Sequence, residues 1–195
     1  MHRILPVCLE TAAACVFLIP IFLWLHKIRL HSKRTCIAAF VFALYLCAAY
    51  AMAGLPNLLY VRFDPTFNFE PFRYMFSDVT SGLNVLMFLP LGLFLPILRS
   101  KFHSFPATVL FGFSTSLFIE LAQIFTRRAT DINDLMTNTA GTILGYFAAR
   151  LLLKLVPKIA MEEDPKELRI VCIVVLGVMF FLQPFVSSLL WNMIL

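Results

Sequence analysis

Charge is what this sequence has least of. Asp, Glu, Lys and Arg make up 14% of its 195 residues, while 61% are hydrophobic, against about 25% charged in an ordinary soluble domain. A soluble fold of this length keeps about a third of its chain surface in water, and the polar side chains to cover it are missing. That shortage excludes a water-soluble globule, so the apolar exterior must face lipid. Close cysteine pairs are absent too. Cys8, Cys15, Cys36, Cys47 and Cys172 lie in or beside apolar runs without metal-ligand spacing, which excludes a cysteine zinc site and predicts buried free thiols. Phosphate-cradling glycine loops, low-complexity tails and convincing repeats are also lacking, so neither a cofactor nor a metal is expected. The net charge of +5 does not imply nucleic acid, because the basic residues sit in short runs between apolar spans, where they fix topology.

What is present is a series of apolar segments, 4–25, 36–60, 82–98, 105–125, 138–156 and 170–190, each long enough to cross about 30 Å of hydrocarbon. They predict an all-α, polytopic transmembrane bundle of about six helices forming a single domain over 1–195. Arg3 and Ala12-Ala13-Ala14 mimic a cleavable signal, but the apolar run continues past the alanines and is read as an uncleaved helix. Alternate connections divide the basic residues eleven (from Lys27 to Arg169) against five (Arg3, Arg62, Arg73, Arg127, Arg128). The positive-inside rule then sets both termini outside.

Polar residues gather at the end assigned to the outside. The connection Val61 to Asp78 interleaves Phe and Tyr with Arg62, Asp64, Glu70 and Arg73, as an interfacial anchor or a ligand-facing flap would. Gly112, Ser116, Glu120 and Gln123 recur at spacings of four, four and three, which places them on one helical face turned toward protein. Asp131, Asp134, Asn138, Gly141 and Gly145 form a second seam if a helix starts near Asp131, with Gly141-x-x-x-Gly145 as a packing contact. Asp131 is equally suited to cap that helix. Asn84 should turn inward, and Phe88-Leu-Pro90-Leu-Gly92 reads as a bend. Glu10 and Gln183 stand alone and read as structural.

Four blocks in this order, Phe67-Asn-Phe-Glu-Pro71-Phe72, Asn84 to Gly92, Glu120-x-x-Gln123, and Arg128-x-x-Asp131-Ile-x-Asp134-x-x-x-Asn138 running on to Gly145-Tyr146, resemble the VanZ-like family over roughly 36–153. Glu70 departs from that family's usual hydrophobic residue before the proline. The resemblance implies a multi-pass protein of the bacterial cytoplasmic membrane, with relatives associated with low-level teicoplanin resistance. It suggests a non-catalytic protein whose partners are membrane lipids and, at the outer face, a lipid-linked wall precursor or the lipoglycopeptide, not nucleic acid. Phe72 and the aromatic loop would hold the apolar part. Arg73, Arg127 and Arg128 would meet phosphate or carboxylate, and Asn84, Glu120, Gln123, Asp131, Asp134 and Asn138 would supply the remaining polar contacts. Two other classes compete. A membrane enzyme would use Glu120 or an aspartate as general base with a carboxylate-bound Mg²⁺, yet no histidine shares that face and no Ser or Cys has an evident base. A lipid or small-molecule transporter would spread polar residues through several depths, whereas these concentrate at one end. Single cysteines placed at Asp64 or Ala129 should react with impermeant thiol reagents in intact cells; labelling only after permeabilisation would invert the topology.

Overall fold

The computed structural model describes residues 4–30, 32–63, 65–72, 79–126, 128–161 and 165–194. Its helices are α1 (Ile4–Ile28), α2 (Lys33–Ala53), α3 (Val79–Leu98), α4 (Phe105–Gln123), α5 (Ile132–Leu155), α6 (Pro165–Gly177) and α7 (Gln183–Ile194). A π-helical stretch, Val178–Leu182, joins α6 to α7 in one continuous rod. Two-residue strands β1 (Phe67–Asn68) and β2 (Thr130–Asp131) are the only sheet among the described residues. The fold is an all-α, multi-pass transmembrane bundle, and its chain contacts divide it into two compact units.

Five rods, namely α1 to α4 and Lys166–Leu190, are long and apolar enough to span a membrane. The helix α5 is not among them, although its 24 residues reach about 36 Å at 1.5 Å per residue. Its first half carries Asn133, Asp134, Thr137, Asn138, Thr139 and Thr142, which lower its hydropathy, and Asn133, Thr137, Asn138 and Thr142 are buried against neighbouring helices. The second span stops at Ala53 instead of running to Tyr60. Gly54, in the left-handed region at φ 61°, caps it by donating to the Ala51 carbonyl at 3.1 Å, and Leu55 N–H donates to Tyr50 O at 3.3 Å.

The first unit comprises α1, α2, α6 and α7. Small residues Ala39, Ala43 and Cys47, four apart on α2, are fully buried and let α1 approach. Phe22 of α1 meets Phe40 of α2 edge to face at 5.3 Å. Leu58 N–H donates to the Phe180 carbonyl at 3.0 Å within the π stretch, where the helical ladder is locally rearranged. All five cysteines are free as expected, but only Cys47 is fully buried. Cys8 is exposed on α1, where an apolar outside accommodates a thiol as readily as a core does.

The second unit comprises α3, α4 and α5 with the connections between them. On α4 the usual soluble pattern is inverted. Thr108, Gly112, Ser116, Glu120 and Gln123 face inward, while Leu110, Phe113, Leu117 and Leu121 face outward. That arrangement suits lipid outside and hydrogen bonding inside. The helices α3 and α5 run parallel in close contact: Gly141 lies against Val85, and Gly145 against Leu89, Gly92 and Leu93. A Cβ on Gly92 would lie 2.9 Å from the Tyr146 nitrogen, and one on Gly145 would lie 2.8 Å from that of Leu93. Gly141 and Gly145 are thus packing residues, as their spacing implied. Gly92, read as part of a bend, is the third member of the same contact.

Replacing Gly145 with Leu should therefore drive the two backbones apart, at a cost of about 1–3 kcal/mol or more. Thermal unfolding in detergent should show a clearly lowered Tm for Gly145→Leu, and none for Gly82→Ala, where an added Cβ meets nothing within 4 Å. Equal Tm values would remove the glycine seam from the account.

Candidate functional site

The helix α4 runs antiparallel to α5, and the two are matched residue by residue. Gly112 receives the side chain of Thr142. One turn on, Asn138 Nδ2 donates to Ser116 Oγ at 2.9 Å. A turn further, the Asp131 backbone N–H donates to Glu120 Oε2 at 2.7 Å, and Thr130 Oγ1 donates to the Glu120 carbonyl at 2.9 Å. The carboxylate of Glu120 therefore meets the chain where it enters α5.

Asp131 is the N-cap of α5. Its extended backbone leaves Oδ1 free to accept from Asn133 N–H at 2.8 Å, satisfying one of the orphan donors of the first turn. The same oxygen accepts from Asn133 Nδ2 at 2.9 Å, and Oδ2 accepts from Asn68 Nδ2 at 2.9 Å. Most of the acceptor capacity of Asp131 is thus used in holding the fold. The partner strand of this cap is the aromatic loop: β1 pairs with β2 in parallel, Phe67 opposite Thr130 and Asn68 opposite Asp131. Thr130 N–H donates to Thr66 O at 2.9 Å, and Arg62 N–H to Phe125 O at 3.0 Å.

Asn133 was not singled out in the sequence, yet it fastens the far end of the loop. It is 4% exposed; Nδ2 donates to the Glu70 carbonyl at 3.0 Å and Oδ1 accepts from Phe72 N–H at 2.7 Å. Phe72 has φ 64°, a left-handed conformation that costs a bulky residue of order 1–3 kcal/mol and persists only where surroundings impose it. The side chain of Asn133 is that imposition. Asn68 Oδ1 also accepts from Glu70 N–H at 3.2 Å, a local Asx-type turn. The signal available for Asn68 was an Asn within an otherwise aromatic loop; for Asn133 it was an amide two residues past a capping Asp. So fastened, the loop turns aromatics outward: Phe63, Phe67, Phe69 and Phe72 are all exposed, Phe67 and Phe69 stacked at 5.6 Å and Phe63 against Phe125 at 5.9 Å.

The remaining predicted residues fall around this core. Gln123 is buried at the end of α4, where its carbonyl accepts from Thr126 Oγ1 at 2.8 Å. Arg128 and Asp134 are half-buried, and both act electrostatically on Glu120. Asn84 is half-buried on α3 next to Val85, at the level of Gly141, with no bond to Glu120 or Asp131. Its Nδ2 is buried without a hydrogen-bond partner among the described residues. Arg73 and Arg127 lie outside the described residues, as does Asp64.

Two acceptor oxygens remain open in the core of the site. Glu120 is 2% and Asn138 1% exposed, and Glu120 Oε1 and Asn138 Oδ1 have no hydrogen-bond partner among the described residues. Buried polar atoms are seldom left so, because each costs about 1–3 kcal/mol. The pair can accept hydrogen bonds from an amine, a hydroxyl or water. Among the described residues no three His, Cys, Asp or Glu side chains group as a cation site.

Compared with known proteins, the sequence model of one family, VanZ/LLP1, matches residues 40–153. That range holds α3, α4, both strands, α5 up to its last two residues and every residue of the site. No curated protein and no solved structure matches the chain.

Proposed function

Because the chain belongs to the VanZ/LLP1 family, we propose that it is a non-catalytic membrane receptor for an amphiphile, either a lipid-linked cell-wall precursor or a lipoglycopeptide such as teicoplanin. The proposal sets this site at the outer face of the bacterial cytoplasmic membrane, with both termini on the same side. Binding there lowers susceptibility to the drug. One observation carries the reading: an outward-facing aromatic segment is bonded, through Asn68 and Asp131, to a buried carboxylate that retains an open acceptor.

An amphiphile needs both parts. Phe63, Phe67, Phe69 and Phe72 offer the apolar surface at the headgroup layer that aromatic rings favour. Glu120 Oε1 and Asn138 Oδ1 offer acceptors to amine or hydroxyl groups of the bound molecule, with Asp134 beside them. Arg128, with Arg127 and Arg73, supplies the cations for phosphate or carboxylate. Asp131 and Asn133 act by positioning, since their polar atoms already hold the loop and the helix start.

Purified protein in nanodiscs should bind teicoplanin or a lipid-linked precursor directly. Glu120→Gln keeps the side-chain shape but loses the charge, and a hydrogen bond to a charged group is worth about 1.5–3 kcal/mol, so binding should weaken at least tenfold with Tm nearly unchanged. Absence of binding to either ligand class sinks the proposal. Conversion of components of a lipid extract by the pure protein would point instead to an enzyme with Glu120 as general base.

A further inference from the structure

We infer that the end of α5 opposite Asp131 holds a seat for one anionic phospholipid. A groove of about 690 Å³ opens there, within the range of about 300–1,000 Å³ typical of small-ligand sites. Arg150 and Lys154, one turn apart on α5, line it together with His103, while Leu151, Leu153 and Pro157 supply an apolar wall. None of the lining residues is a carboxylate.

The groove is built rather than incidental. After α5, the 3₁₀ turn Pro157–Ile159 folds the chain back, and Met161 N–H donates to the Ile97 carbonyl of α3 at 2.7 Å. On the other side, His103 Nε2 donates to the Pro96 carbonyl at 3.0 Å, and Tyr146 OH donates to the His103 carbonyl at 2.8 Å. Thr108 Oγ1 further fixes this 3₁₀ segment, Ser100–His103, by donating to Phe102 O at 2.7 Å. Both walls are thus set by hydrogen bonds before any ligand arrives.

The pairing of charge with an apolar wall selects the occupant. Arg150 and Lys154 lie in the last turns of α5, among exposed Leu151 and Leu155. Exposed leucines on a multi-pass bundle face lipid, so the anion that meets these two cations is a lipid phosphate, whose acyl chains would run along the leucine surface. A soluble phosphate would gain nothing from the leucine wall. A zwitterionic lipid brings an ammonium that the two cations repel. Basic pockets between transmembrane helices recognise anionic headgroups in this manner.

The test is native mass spectrometry of the full chain released from nanodiscs containing phosphatidylglycerol or phosphatidylcholine. Phosphatidylglycerol should remain bound and phosphatidylcholine should not. A cation near an anionic headgroup is worth a factor of about five, so Arg150→Gln with Lys154→Gln should weaken phosphatidylglycerol binding about 25-fold. Leu151→Glu, at an exposed position, sets a carboxylate in the groove and should act in the same direction. Lys27→Gln with Arg29→Gln removes as much charge outside the groove and should change binding less than about twofold. Neutralising Glu162, Glu163 and Asp164 should preserve or strengthen it. An undiminished adduct in the Arg150/Lys154 variant, an equal loss in the Lys27/Arg29 variant, a loss on neutralising the three acids, or displacement by millimolar glycerol 3-phosphate would each overturn the proposal.

Discussion

The close approach of α3 and α5 is the constraint on which the rest of the second unit depends. In lipid, an amide or carboxyl at helix depth is tolerable only when protein covers it, because no water is there to satisfy it. Coverage requires backbones to come nearer than ordinary side chains permit. Gly92, Gly141 and Gly145 remove those side chains, and the gain is van der Waals contact and close carbonyl packing, since lipid tails provide no hydrophobic drive between helices. With α5 held against α3, α4 can lay its own polar stripe along α5, Gly112 to Thr142, Ser116 to Asn138 and Glu120 to Asp131.

That stripe has a direction. Its inner steps are a glycine notch and a neutral amide bonded to a hydroxyl, and its last step is a carboxylate meeting a backbone N–H at a helix start. The extended cap residue that presents this N–H also pairs with β1, so helix packing and loop placement are joined at Asp131. The loop accordingly has a fixed shape, including a left-handed Phe72, without a hydrophobic core of its own. Strain kept at such a position is characteristic of binding segments. The two open acceptors lie on α4 and α5, Glu120 beside the Asp131 cap and Asn138 opposite Ser116, one turn further along α4.

The hydrophobic runs and their lengths made the multi-pass class legible, because hydropathy over about 20 residues is a strong signal. The helical spacing of Gly112, Ser116, Glu120 and Gln123 equally marked an inward face. Less legible was whatever depends on a neighbour. The polar first half of α5 lowers its hydropathy below that of the other spans, and only the packing shows that Asn133, Thr137, Asn138 and Thr142 are buried there. Gly92 read as a bend because a glycine near prolines has that local explanation, and its true neighbour lies some fifty residues away. Asp131 was ambiguous between cap and ligand group, and the geometry engages it as a cap. Asn133 was overlooked because a single amide in the first turn of a helix carries no periodic signal. The stop at Gly54 was not legible, because the apolar residues after it continue the hydrophobic run and only the structure shows the left-handed cap.

If side-chain bonds from α4 and α5 hold the aromatic loop and the α5 cap it pairs with, amides of both are protected by particular partners. Residue-resolved hydrogen exchange of the protein in nanodiscs tests this most directly. The Asp131 and Phe72 amides should exchange far more slowly than in a free peptide. Glu120→Ala should release Asp131 alone, and Asn133→Ala should release Phe72 while leaving α3 and α4 protected. Free-peptide exchange at both amides in the unmodified protein would contradict the account.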